Sequence, residues 1–181
     1  MKRLARVAVL MSLVESLKNN GSWCGETHIQ KATYILQRML DGDLGHEFIL
    51  YKHGPYSFEL SEELGRLRAD NLLEVAPQYP YGPRMLPGKA WADLKETFPE
   101  TIDRYAGKIA FLGHWLGSKG VAELEKLATA LYVTKDLNVE QGQRAAKIHE
   151  LKPHVSLEEA REALIEVDTQ MSAAGELAAA A

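Results

Sequence analysis

The sequence predicts a mainly α fold: a winged-helix-like core with a small β-hairpin and a C-terminal helical extension. Three observations carry this. Apolar residues recur at steps of three and four along most of the chain, the period of an amphipathic helix. The first 90 residues read in the order helix, turn, helix, strand, helix, hairpin, which is winged-helix order. From Trp91 onward no strand signal interrupts the helical pattern. The expected organisation is one compact unit: a core over 1–90, a helical extension over 91–172 packed on it, and an Ala-rich tail over 173–181 that frays.

The elements follow in order. Leu4, Val7, Met11, Val14 and Leu17 form the buried stripe of a first helix, which stops at Asn19, Asn20 and Gly21. Thr27 with Gln30 three residues on is a capping-box signature for a second helix. That helix runs to about Leu40 with Ile29, Thr33, Leu36 and Leu40 on one face, and Asp41, Gly42 and Asp43 end it. Phe48 to Tyr51 is a short apolar run of strand type, broken by Gly54-Pro55. Ser57 caps a third helix whose early turns hold Glu59, Glu62 and Glu63 and whose apolar face is Leu60, Leu64 and Leu67. Leu72 to Val75 and Arg84 to Leu86 predict a hairpin with a long tip. Pro99 suits a first helical turn, Val121 to Leu131 supplies another amphipathic helix, and Ser156 with Glu159 is a second capping box opening the last helix.

Composition narrows the function classes. The 181 residues are 46% hydrophobic and 25% charged with a net charge of −4, ordinary for a globular chain with a real core. Bulk charge therefore does not favour sequence-independent capture of nucleic acid, which needs clustered Lys and Arg. Residues 1–90 hold 11 basic and 10 acidic side chains and residues 91–181 hold 10 and 15, so the acidity lies in the helical half. The single cysteine, Cys24, fits a reducing compartment. The apolar run from Val7 to Val14 is too short to span a bilayer and is followed at once by Glu15 and Lys18, so a cytoplasmic location without membrane contact is expected.

No phosphate-binding glycine loop, zinc-protease helix or nucleophile elbow occurs, which argues against the common enzyme classes and against a cofactor. Cys24 and His28 stand four apart and could meet as nucleophile and base, but no third group orients them. The six histidines show no close ligand pair, so no metal site is expected. The third helix, the recognition helix of a DNA-reading winged helix, carries Glu59, Glu62, Glu63 and Asp70 against Arg66 and Arg68, a net −2 that a phosphate-lined groove would repel. DNA binding by a transcriptional regulator is therefore placed below protein binding, and an enzyme with an unrecognised site below both.

One block is more specific than these motifs. Ile29-Gln30-Lys31-Ala32-Thr33-Tyr34-Ile35-Leu36-Gln37 is followed by Tyr51-Lys52-His53-Gly54-Pro55-Tyr56-Ser57, then by Leu60, Leu64 and Leu67. It resembles the YwgA-like proteins and the related Panacea (SocA-like antitoxin) domains, where a helix reading roughly L-Q-K-x-x-Y-x-L-Q precedes a strand ending in Y-G-P-Y-S. Here His53 stands in place of the commoner aromatic residue and Ile29 in place of Leu. Segments 123–132 and 151–156 are also similar to YwgA-type segments, so the resemblance reaches from about residue 5 to 168. It implies a helical fold with a small winged hairpin, no catalytic residues, and a protein partner such as a toxin that the chain neutralises or regulates. The acidic helical half would suit a toxin's nucleic-acid groove, an association that salt would weaken.

The residues themselves leave two readings of the block. Gly54-Pro55 demands a rigid turn, and Lys31 and Tyr34 can pack beneath it as an architectural corner with each phenol satisfied by backbone. Alternatively Lys31, Tyr34, Tyr51, His53, Gly54, Pro55 and Tyr56 form the rim of a partner-binding surface, since tyrosines are favoured at interfaces. The Tyr56→Ala variant separates them: a large loss of melting temperature supports the corner, lost binding at unchanged melting the surface. Tyr79 and Tyr81, set among prolines at the expected wing tip, are further partner-binding candidates.

Overall fold

The computed structural model describes residues 1–77 and 82–179. It is mainly helical, a winged-helix-like core with small antiparallel hairpins and a C-terminal helical extension. Helix α1 (Arg3–Asn19) is buried at every position from Val7 to Val14. A helix apolar on all sides belongs in the middle of a fold, and α1 is covered on one flank by α5 (Pro99–Leu116). The two lie close because Gly113 has no side chain: a Cβ there would occupy the position of the Ser16 hydroxyl, which donates to the Ile109 carbonyl at 3.3 Å. Leu4, expected on the buried stripe, is instead half exposed, since it sits in the first turn beyond that cover.

Helix α2 (Glu26–Met39) starts one residue before the expected cap, with Gly25 at the N-cap and no side-chain cap. The Thr27–Gln30 capping box does not form, because Gln30 has a stronger tertiary use. Its fully buried amide donates to the Ser57 carbonyl and accepts from the Ser57 N–H, both at 2.9 Å. That pair fastens α2 to the start of α3 (Phe58–Ala69), whose N-cap is Ser57, accepting from the Leu60 N–H. Between them, β1 (Ile49–Tyr51) and β2 (Gly54–Tyr56) pair as an antiparallel hairpin, Leu50 opposite Pro55. Gly54-Pro55 thus continues a ladder rather than ending a lone strand.

The wing is β3 (Leu73–Ala76) paired with β4 (Arg84–Pro87), from Leu73 opposite Pro87 to Ala76 opposite Arg84. After α4 (Trp91–Thr97) and α5 come α6 (Val121–Lys135), a 3-10 turn at Gln141–Gln143, α7 (Arg144–Leu151) and α8 (Leu157–Ala179). The second capping box forms as expected: the Ser156 N–H donates to Glu159 at 2.9 Å and the Glu159 N–H to the Ser156 hydroxyl at 3.2 Å. Helix α8 runs to Ala179, with Ala174 packed into the core. Arg144 fixes α7 to α8 through two 2.8 Å bonds to the Asp168 carboxylate. Helix α6 packs between α2 and α8, so both halves share one hydrophobic core.

Candidate functional site

The β1–β2 turn sits on α6, and its shape is imposed from below. Gly54 has φ +84°, a left-handed conformation that favours glycine, and a Cβ there would lie 3.1 Å from the Thr129 hydroxyl. Two buried lysines then hold the main chain. Lys31 Nζ, from α2, donates to the Pro55 carbonyl at 2.8 Å. Lys152, in the α7–α8 connection, donates to the Tyr51 carbonyl at 2.8 Å and also to the Lys52 carbonyl. Each ammonium supplies donors to main-chain carbonyls at the turn and its flanks.

Buried cations need a counter-charge, and Glu125 of α6 provides it. Its Oε1 is 3.3 Å from Lys152 Nζ and 3.4 Å from His154 Nε2, and its Oε2 is 3.4 Å from His53 Nδ1. Burial pulls the Lys31 ammonium down to about 8, against support from the Glu125 charge and with further lowering by Lys152. Both histidine rings are largely exposed above the carboxylate. Among the described residues no group of His, Cys, Asp and Glu is arranged to hold a metal ion.

Above this frame lies an exposed aromatic cluster. Tyr51, Tyr56 and Phe58 pack on one another with ring centroids 5.1 to 5.9 Å apart. Ile49, Tyr51 and Phe58 are 50%, 48% and 55% exposed, and Tyr56 is partly so, its hydroxyl donating to Glu26 at 3.0 Å. The charges divide around the cluster: Lys52 and His53 lie at the turn, Glu26, Glu47 and Glu59 toward the helices.

The sequence-derived residues thus separate into two layers. Lys31 and Tyr34 are 1% and 0% exposed, and Gly54 and Pro55 are buried, so these four support the surface and do not rim it. The Tyr34 phenol is not satisfied by backbone either. It donates to Asp136 at 2.6 Å, and burial with this carboxylate raises its pKa. Tyr51, His53 and Tyr56 face solvent wholly or in part. Tyr79 and Tyr81 lie outside the described residues. Sequence reasoning missed Ile49 and Phe58 as surface residues and Glu125, Lys152 and His154 as parts of the frame. The signal for the last three lay in segments 123–132 and 151–156, which the fold brings to the same turn.

The remaining candidates take other roles. Cys24 is fully buried, its thiol 3.8 Å from the Val14 carbonyl, and burial pushes its pKa up, the reverse of an activated thiol. His28 Nε2 lies 3.2 Å from the Lys119 carbonyl instead of approaching Cys24, and burial lowers its pKa. On α3, Arg66 is ion-paired with Glu62 and Glu63, each at 3.2 Å. Among the described residues no helix is long and apolar enough to cross a membrane. Comparison with models of known protein families finds no match, and neither does comparison with curated proteins.

Proposed function

We propose that this chain is a non-enzymatic protein-binding module of the YwgA/Panacea kind, antitoxin-like or regulatory, that engages its partner through Ile49, Tyr51, Tyr56 and Phe58. The carrying observation is that Ile49, Tyr51 and Phe58, each about half exposed, and the partly exposed Tyr56 cluster on and beside a hairpin whose backbone is clamped from beneath. Clustered aromatic residues on a preorganised frame are the composition and cost structure of an interface hot spot. Segments 29–37, 123–132 and 151–156, which share the family resemblance with the turn itself, each send a residue to it, Lys31, Glu125 and Lys152, and this supports the same reading. A winged-helix DNA-binding regulator is the second reading, disfavoured by the acidic α3 and the ion-paired Arg66.

The test uses the tagged full chain and its Tyr51→Ser/Phe58→Ala variant, each captured from native-host lysate at near-physiological salt after nuclease treatment. These two side chains are about half exposed and outside the core, so the variant should lose only a few degrees of melting temperature and stay folded at the capture temperature, whereas Tyr56 is tied to Glu26 and is a less clean probe. The expected result is a stoichiometric protein partner with the wild type and at least a tenfold loss with the variant. Equal recovery from both, or recovery only of nuclease-sensitive DNA, overturns the proposal, the latter in favour of the regulator.

A further inference from the structure

A second surface feature lies away from the hairpin, where the last turns of α8 pass the end of α2 and the middle of α5. A cavity of about 440 Å³ opens there, within the size range of small-molecule sites. Its apolar lining comes from Met39, Leu40, Met171, Ala174 and Leu177. Two glycines keep it open. A Cβ at Gly175 would meet nothing within 4 Å, and one at Gly107 would meet only Leu177 Cδ1 at 3.8 Å.

The polar lining is charged and unpaired. Arg104, Lys108 and Lys135 line the cavity together with Asp41 and Asp103, a net charge of +1, and among the described residues none of the five makes an ion pair within 4 Å. Lys108 has only the face of the Tyr105 ring, 5.6 Å from its centroid. An apolar wall beside three cations and two carboxylates, none of them ion-paired among the described residues, has a net positive charge that favours an alkyl chain ending in an anion. The flexible thioethers of Met39 and Met171 suit an unbranched chain, because methionine adapts its shape to what it packs against. We propose that this cavity binds a single-chain anionic amphiphile, a medium-chain alkyl carboxylate, with the chain on the Met39/Met171/Leu177 wall and the carboxylate among Arg104, Lys108 and Lys135.

Titration calorimetry of the delipidated full chain with sodium decanoate, below its micelle concentration, tests this against decyltrimethylammonium. The expected result is saturable one-to-one binding of decanoate and at least tenfold weaker binding of the cationic amphiphile. Gly175→Leu should fill the cavity and remove decanoate binding while holding or raising the melting temperature, since leucine is the better helix former and a Cβ at this lining position meets nothing within 4 Å. Arg104→Gln/Lys135→Gln should weaken decanoate about tenfold and leave the cationic amphiphile unchanged. No saturable decanoate binding, equal binding to the Gly175→Leu chain, or affinity indifferent to head-group charge would each overturn the proposal. None of these outcomes bears on the aromatic cluster, which is a separate surface.

Discussion

Lys31 shows how one side chain ties sequence to architecture. It is a charge placed where water does not reach, tolerated because the Pro55 carbonyl and Glu125 answer it. Lys31→Met removes the charge but strands both partners, so it should destabilise the protein by about 3 kcal/mol in denaturant titration. The pH dependence has a defined sign. The folded state releases the Lys31 proton at about 8, whereas an unfolded lysine holds its proton to 10.5, so between those values the unfolded state binds more protons. This group therefore adds stability as pH rises through that window, and the rise should be seen in the wild type and be absent from Lys31→Met when unfolding is compared at pH 7.5 and 9.5. The local block that contains both tied Lys31 to the turn but left open whether it packs beneath it or rims a surface; its 1% exposure puts it beneath. The sequence left Lys152 unassigned, because that lysine grips Tyr51 from 101 positions away and no local pattern encodes a partner at that distance.

Elements were legible where their signals are local and illegible where a distant contact competes. The Ser57 cap and the Ser156–Glu159 box read correctly because each bond closes within three residues. Thr27–Gln30 carried the same signature and failed, since the Gln30 amide gains two bonds to Ser57 that a capping role could not match. Helix α7 left almost no trace: among its eight residues only Arg144 and Ile148 are buried, too few to show a period. The β1–β2 hairpin gives the sharpest test at this scale. Gly54→Ala forces a Cβ into a left-handed turn and against Thr129, and should lower stability by about 1–2 kcal/mol. Gly65→Ala on α3, where a Cβ meets nothing within 4 Å, should raise it by about 1 kcal/mol. Thermal melts of the two variants should therefore shift in opposite directions.

At the scale of the whole molecule, the division into a core and an extension is one of sequence order, not of independent folding. Eight consecutive buried residues in α1 need cover on every side, and α5 supplies much of it. Residues 1–90 expressed alone should accordingly show no cooperative melt and poor amide dispersion, whereas the full chain shows both. That all-round burial is written in the run VAVLMSLV, whereas the three- and four-step spacing of Leu4, Val7, Met11, Val14 and Leu17 also fits a single buried stripe. The exposed cluster was half visible, its tyrosines plain in the sequence and its Phe58 concealed as an ordinary first helical residue. The turn itself is held by its carbonyl oxygens, and carbonyl oxygens are common to every amino acid. Lys52 and His53 could therefore be exchanged for other residues while Lys31 and Lys152 kept their grip, so the chemistry displayed at the tip can be rewritten without redesigning its support: a fixed mount with replaceable lettering.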